Sequence, residues 1–278
     1  MRIELDEVAL EVGDRGTGAP VVLLHGWPDT ADLWRHQVPA LVADDYRVVT
    51  PDLRGFGGSS RPVEVEAYTA ARMVGDVVGL LDRLSIGRAH LVGHDWGAAL
   101  AWMTASLVPE RVASLTALSV GHPAALRTAG WAQREKSWYM LLFQFEGIAE
   151  QWLSADDFRN FRAWAAHPDV DAVVERLAEP GALTASLNLY RAILPPITLL
   201  APPPELPPVQ APVMGIWSSG DLALTERSMT GSEAHVAGPW RYERVDGVGH
   251  WLQLDAPDKV NALLLDFLGE HRKEAQPS

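Results

Sequence analysis

At residues 91–99 the chain reads Leu91-Val92-Gly93-His94-Asp95-Trp96-Gly97-Ala98-Ala99. An apolar run ends here at a reactive residue flanked by small residues, a pattern typical of a sharp turn from a β-strand into an α-helix. Such a turn presents its central side chain to a pocket. The stretch therefore predicts a strand–turn–helix unit with Asp95 at its apex.

The residue at this apex is an aspartate, where the usual pattern carries a serine. A serine that attacked saturated carbon would form an ether, which water does not readily cleave. A carboxylate forms an ester instead, and the ester carbonyl can be hydrolysed. Asp95 thus favours substrates with an electrophilic sp3 carbon, such as epoxides or alkyl halides.

Short apolar runs elsewhere in the chain are typical of strands that are buried on both faces. They lie at residues 21–24, 46–49, 89–92, 115–118 and 213–217. Segments of helical length and periodicity, at 68–84 and 97–107, separate some of them. This alternation predicts an α/β fold with a parallel sheet wrapped by helices, and the alternating residues 2–13 predict an antiparallel hairpin at its edge.

The pattern changes after residue 121. Residues 122–194 carry many aromatic side chains in helical patterns, and residues 194–212 are rich in proline. We interpret residues 122–205 as a helical lid, or cap, inserted into a core domain that is formed by residues 1–121 and 206–278. A flexible interdomain linker is the alternative interpretation of the proline-rich segment.

Composition limits the classes of partner. The 278 residues are 47% hydrophobic, carry a formal net charge of −13 and include no cysteine. We expect no nucleic-acid or membrane partner, because both surfaces repel an acidic protein. The absence of cysteine excludes disulfides and a cysteine nucleophile. Because the sequence shows no targeting or membrane-spanning segment, we expect a cytoplasmic protein.

Two further residues complete a catalytic triad in the order nucleophile, acid, histidine. Asp221 directly follows the predicted strand at 213–217, and His250 lies in the loop Gly247-Val248-Gly249-His250-Trp251. Catalytic groups collect beyond the carboxyl ends of parallel strands, where both residues fall. Asp221 could alternatively cap a helix that begins at Leu222.

Two turns upstream also bear on the site. His25-Gly26-Trp27-Pro28 follows the strand at 21–24, where a second oxyanion-hole donor usually lies, so the backbone N–H groups of Trp27 and Trp96 are our candidate donors. The glycine-rich residues 54–60 lack the lysine spacing of a phosphate-binding loop. We interpret them as a structural turn.

Together these motifs resemble the α/β-hydrolase superfamily and, within it, the epoxide hydrolases. The resemblance covers nearly the whole chain, and its most specific part is Gly93-His94-Asp95-Trp96-Gly97. It implies an α/β-hydrolase fold with about eight mostly parallel strands and a cis peptide bond at Trp27-Pro28. It also implies a cofactor-independent enzyme, working as a monomer or a homodimer on a small hydrophobic epoxide.

The resemblance also assigns two lid tyrosines. Opening an epoxide generates an alkoxide that needs a donor, and Tyr139 and Tyr190 match the two lid segments that supply it in epoxide hydrolases. One departure is Phe145-Glu146-Gly147, where many relatives have a proline before the glycine. We expect Trp27, Trp96 and lid aromatics such as Trp138 to form an apolar pocket wall.

The implied reaction is attack by Asp95 on an epoxide carbon, followed by hydrolysis of the ester to a 1,2-diol. Two alternatives stay open at this stage. A haloalkane dehalogenase would use the same triad without needing the tyrosines, because a halide leaves without a proton. A small-molecule receptor would keep the pocket without turnover.

Overall fold

The fold is organised around one mixed β-sheet, seen in a computed structural model that describes residues 1–275. Its strands are β1 (Arg2–Glu4), β2 (Ala9–Arg15), β3 (Ala19–Leu24), β4 (Tyr46–Pro51), β5 (Ala89–His94), β6 (Val112–Leu118), β7 (Val213–Ser218) and β8 (Trp240–Val245). Within these residues they form an eight-stranded sheet in the order β1-β2-β4-β3-β5-β6-β7-β8. The pairs β1–β2 and β2–β4 are antiparallel and every other pair is parallel. The predicted parallel sheet and its antiparallel edge hairpin are confirmed.

Burial explains why the inner strands read as continuous apolar runs. Every residue of β3, β5, β6 and β7 is buried. Helices that cover both faces of a parallel sheet leave no strand face for polar side chains. The edge strand β8 is mostly half-buried.

The α-helices make up about half of the rest of residues 1–275. They are α1 (Gln37–Ala43), α2 (Ala70–Arg83), α3 (Trp96–Leu107), α4 (Pro123–Thr128), α5 (Trp131–Lys136), α6 (Trp138–Leu142), α7 (Ile148–Ala165), α8 (Val170–Leu177), α9 (Ala182–Ile193), α10 (Glu226–Thr230), α11 (Leu252–Asp255) and α12 (Pro257–Glu270). The helices predicted at 68–84 and 97–107 correspond to α2 and α3. None of the helices within residues 1–275 is long and apolar enough to cross a membrane.

Helices α4 to α9 lie between β6 and β7, in what we call the helical insertion, residues 122–205. Helix α7 is not continuous, because Asp156, Asp157 and Phe158 adopt left-handed backbone conformations that divide it into two parts. After α9 the proline-rich chain forms one 3-10 turn, Pro196–Leu199, and then returns to the sheet.

The glycine-rich turn at residues 54–60 is built around a carboxylate. Asp52 accepts hydrogen bonds from the N–H groups of Gly58, at 2.9 Å, and Ala31, at 2.8 Å. Arg54 donates two hydrogen bonds to the buried Asp76, at 2.8 and 2.7 Å. The carboxylate of Asp52 therefore occupies the position in which a bound anion would accept these N–H groups, and the segment is a structural turn.

Candidate active site

Asp95 lies between β5 and α3, where its backbone has φ 52° and ψ −121°. Positive φ is strained for a residue with a side chain, so close packing must impose it. A Cβ atom at Gly93 would lie 2.3 Å from the carbonyl oxygen of Gly97, and one at Gly97 would lie 2.0 Å from that of Leu24. Glycine at both positions lets the backbones meet and form the turn.

The predicted acid and histidine lie beside this turn. The Nδ1 atom of His250 is 2.8 Å from Oδ2 of Asp221, and its Nε2 atom is 3.7 Å from Oδ2 of Asp95. The second oxygen of Asp221 accepts hydrogen bonds from the N–H groups of Ala223 and Leu224, both at 2.8 Å. The ends of the parallel strands β5, β7 and β8 thus bring the three side chains into one cluster.

Electrostatics sets the protonation state of the histidine. Burial lowers the pKa of His250, but the charge and hydrogen bond of Asp221, together with Asp95, outweigh burial and raise that pKa to about 10. Burial would raise the pKa of Asp221, yet His250 and two backbone N–H groups hold it below its usual value. At neutral pH, His250 is therefore an imidazolium between two carboxyl groups.

Neighbours of the nucleophile hold the histidine loop in place. The backbone carbonyl of His250 accepts hydrogen bonds from Nε2 of His94 and from Oγ of Ser119, both at 3.0 Å. The preceding carbonyl, of Gly249, accepts one from Oγ of Ser218 at 2.6 Å. Burial lowers the pKa of His94 to about 4, so His94 acts as a neutral donor. The histidine of the Gly-His-Asp-Trp-Gly motif is thus a support for the triad.

One of the two expected oxyanion donors touches the nucleophile. The N–H of Trp27 donates to Oδ1 of Asp95 at 2.8 Å, and the peptide bond Trp27-Pro28 is cis, as expected. Trp96 is the first residue of α3, so its N–H has no acceptor within the helix. Within residues 1–275, the N–H of Trp96 makes no hydrogen bond to the carboxyl group of Asp95. Leu53 donates its N–H to His25 at 2.9 Å, which fixes the turn that presents Trp27.

Both predicted tyrosines come from the helical insertion and lie in the cavity that Asp95 lines. Tyr139, on α6, and Tyr190, on α9, are 3% and 1% exposed and line the same cavity as Asp95. Burial raises the pKa of both hydroxyl groups well above its usual value, and the charge of Asp95 adds to the effect. Both tyrosines therefore stay protonated and able to donate hydrogen bonds. The departure at Phe145-Glu146-Gly147 does not remove Tyr139 from the cavity.

The cavity between the triad and the tyrosines is small, about 20 Å³. Its wall is mostly aromatic and apolar and is formed by Trp27, Asp95, Tyr139, Trp164, Ala165, Tyr190, Leu222, Ala223, His250 and Trp251. Trp96 lies behind it, with its ring 4.9 Å from that of Tyr190.

Comparison with known proteins agrees with this geometry. Residues 19–168 match the family model of the α/β hydrolase fold. Epoxide hydrolase A of Mycobacterium tuberculosis is 36% identical, with 96% of each chain covered. The chain belongs to the epoxide hydrolases of the α/β-hydrolase superfamily.

Solved structures of epoxide hydrolases share the whole fold. One from metagenomes of hot environments has a TM-score of 0.87 and 32% identity, with 96% of this chain and 97% of that chain covered. Epoxide hydrolase A from Mycobacterium thermoresistibile has a TM-score of 0.81 and 31% identity over the same shares. The likeness therefore includes the insertion as well as the sheet.

The structure corrects the expectation about the pocket wall at two tryptophans. Trp27 lines the cavity as expected, but Trp96 does not. Trp138 is 42% exposed and does not line it either; its ring packs against Trp164, at 5.6 Å between centroids. Sequence reasoning missed Trp164, because nothing in the pattern of an aromatic-rich helix shows which ring faces the sheet. It also overlooked Trp251, although this residue directly follows the catalytic histidine.

Proposed function

We propose that this protein converts a hydrophobic epoxide and water into a vicinal 1,2-diol through an ester on Asp95. The observation that carries the proposal is that one cavity brings two kinds of group together. It is lined by a carboxylate at the turn, Asp95, and by two protonated tyrosines from the helical insertion. An epoxide needs both groups at once, because carbon–oxygen cleavage creates charge on the oxygen as the carboxylate attacks the carbon.

In the first step, a carboxylate oxygen of Asp95 bonds to one epoxide carbon and the bond from that carbon to the ring oxygen breaks. Tyr139 and Tyr190 donate hydrogen bonds to the leaving oxygen, and one of them transfers its proton to it, so that a hydroxyl group and a tyrosinate form. The N–H of Trp27 holds the other oxygen of Asp95 at 2.8 Å and so orients the attacking one. The product is a hydroxyalkyl ester.

In the second step, His250 activates the water that attacks the ester carbonyl. Esterification removes the charge of Asp95, one of the two carboxylates that raise the pKa of His250, so this pKa falls. The imidazolium then gives up its proton, which restores the tyrosine, and the neutral ring can act as a base. Asp221 then stabilises the imidazolium that forms again. The N–H groups of Trp27 and Trp96 stabilise the oxyanion, which collapses to release the diol.

We propose that the helical insertion, residues 122–205, is a lid over a core of residues 1–121 and 206–278. It supplies Tyr139, Trp164 and Tyr190 to the cavity wall. A cavity of about 20 Å³ is too small for an epoxide such as styrene oxide, and we propose that the insertion moves to admit a substrate. The apolar wall favours hydrophobic epoxides.

A single turnover in heavy-oxygen water tests the ester route. With enzyme in excess over styrene oxide, we expect no label in the first diol and label in the carboxyl group of Asp95, measured by peptide mass spectrometry. Asp95→Asn, which keeps the shape of the side chain without the ionised nucleophile, should form no adduct when assayed directly after purification. Label in the first diol would show direct attack of water on the epoxide.

A further inference from the structure

Asp29 is a buried carboxylate that the two-step reaction does not use. It is 2% exposed and lies in the turn after β3, two residues beyond Trp27. Its oxygens are hydrogen-bonded to two different parts of the molecule: Oδ1 lies 3.1 Å from Nε2 of His167, and Oδ2 accepts from Nε1 of Trp251 at 2.9 Å. One side chain therefore joins the helical insertion to the residue that follows the catalytic histidine.

The hydrogen bonds fix the protonation of this cluster. The N–H of Asp169 donates to Nδ1 of His167 at 2.9 Å, so that nitrogen carries no proton and Nε2 is the donor toward Asp29. Burial would raise the pKa of Asp29, but the hydrogen bonds from His167 and Trp251 outweigh it and lower the pKa. Asp29 is thus an ionised acceptor with two directed donors.

The contacts continue to the catalytic histidine. The ring of Trp251 meets that of His250 edge to face, with centroids 4.9 Å apart, and the ring of His167 meets Trp251 at 4.3 Å. His250, Trp251 and His167 are each at most 5% exposed, so their rings pack directly against one another in the interior. A shift of Asp29 or His167 is therefore transmitted to the imidazole through packed rings.

We propose that Asp29 is a positioning residue for His250, acting through Trp251, and that His167 makes this positioning depend on closure of the helical insertion. The inference rests on the proposed two-step reaction and adds that the insertion opens for substrate entry and is closed during ester hydrolysis. When the insertion is closed, His167 and Trp251 both bind Asp29 and the imidazole is held at the ester. When it opens to admit substrate, His167 leaves and the support on Trp251 weakens.

This role predicts a selective effect on the second step. Alkylation depends on Asp95 and the tyrosines, whereas ester hydrolysis depends on the placement of His250. In Asp29→Asn one acceptor oxygen becomes an amide nitrogen, so one of the two buried donors loses its partner. We expect the hydrolysis rate constant to fall about 10- to 100-fold, the scale of an ångström-sized displacement. The alkylation rate constant should stay within about threefold.

Rapid quenching with styrene oxide, followed by intact-protein mass spectrometry, measures the fraction of enzyme that carries the adduct. Wild type should show little adduct at steady state and Asp29→Asn should show it on most molecules. Trp251→Phe, which keeps a ring against His250 but lacks the donor, should accumulate it too. His167→Phe should do the same, and His167→Gln should reverse most of the effect because its amide can donate to Asp29.

Arg61→Ala is the matched control. Arg61 binds Glu179 at 2.6 Å across the boundary between core and insertion, and neither residue is hydrogen-bonded to Asp29, His167 or Asp169. It should leave the adduct fraction unchanged even if it lowers the melting temperature. If Asp29→Asn does not fold, the two His167 variants and Trp251→Phe test the proposed role of Asp29 in the same assay.

Equal slowing of both steps, wild-type kinetics in the Asp29, His167 and Trp251 variants, or adduct accumulation in Arg61→Ala would overturn the proposal. His250→Gln separates this outcome from a failure of the proposed function. It should accumulate the ester whatever Asp29 does. If His250→Gln forms diol at the wild-type rate without any adduct, then the ester mechanism itself is wrong.

Discussion

The two tyrosines of the helical insertion offer the sharpest test of the chemistry. Tyr139→Phe and Tyr190→Phe each remove one hydroxyl group from a cavity that no other tyrosine lines. A hydrogen bond to a developing charge contributes about 1.5–3 kcal/mol, which corresponds to a loss of about 10- to 150-fold in rate for each hydroxyl group. In the double variant the opening oxygen has no tyrosine donor left, so the two losses multiply and we expect a loss of at least about 100-fold.

The assay is the rate of adduct formation from styrene oxide with enzyme in excess, measured by rapid quenching and intact-protein mass spectrometry. Ester hydrolysis should be nearly unchanged, because the tyrosines act on the ring oxygen and not on water. Tyr46→Phe is the matched control: Tyr46 is equally buried, but it begins β4 and packs under Arg272, with the guanidinium 4.2 Å from its ring.

A double variant that alkylates at the wild-type rate would refute the proposed role of the tyrosines. The same variants should be challenged with 1-bromobutane, because carbon–halogen cleavage needs no proton. If the wild type releases bromide efficiently and the tyrosine variants still do so, the dehalogenase alternative replaces the epoxide hydrolase.

Three further predictions concern the frame of the site. Gly26→Ala should reduce turnover at least about 100-fold in a diol assay, because the added Cβ would lie 2.5 Å from Oδ1 of Asp95; wild-type turnover would show that the turn can adapt. Asp76→Ala should lower the urea unfolding free energy by about 3–5 kcal/mol, since it leaves Arg54 buried without its main partner, and a loss below 1 kcal/mol would contradict this. The raised pKa of His250 contributes stability that is full below pH 6.5 and is lost as pH rises toward about 10. In urea unfolding, the free energy of unfolding of the wild type should therefore fall with pH by at most about 1.4 kcal/mol per pH unit, and His250→Gln should flatten this decline. Parallel curves for the two proteins would refute the assignment.

Local sequence patterns accounted for the sheet and for the chain order of the triad. Strands buried on both faces need continuous apolar runs, and a nucleophile turn needs glycines at fixed offsets. The structure of residues 21–24 and 91–99 could therefore be predicted from the local sequence. The position of Asp221 just after β7 followed from the same reasoning. The tyrosines came from family resemblance, because spacing within a helix does not show which side chain meets a distant carboxylate.

The contacts between the helical insertion and the core could not be read from the sequence. Trp138 and Trp164 are both tryptophans in helical segments, and only packing makes one of them a half-exposed support and the other a cavity wall. His167 and Asp29 are far apart in the chain, so the hydrogen bond between them leaves no local trace.

The sequence by itself determined the apolar runs of the strands and the turn at Asp95, the predicted nucleophile, because each depends on residues that are close in the chain. Only the tertiary structure decided which rings enclose Asp95, how strongly His250 holds its proton, and that Asp29 ties the insertion to the histidine loop. Those properties depend on burial and on distances between segments that fold together from separate parts of the chain.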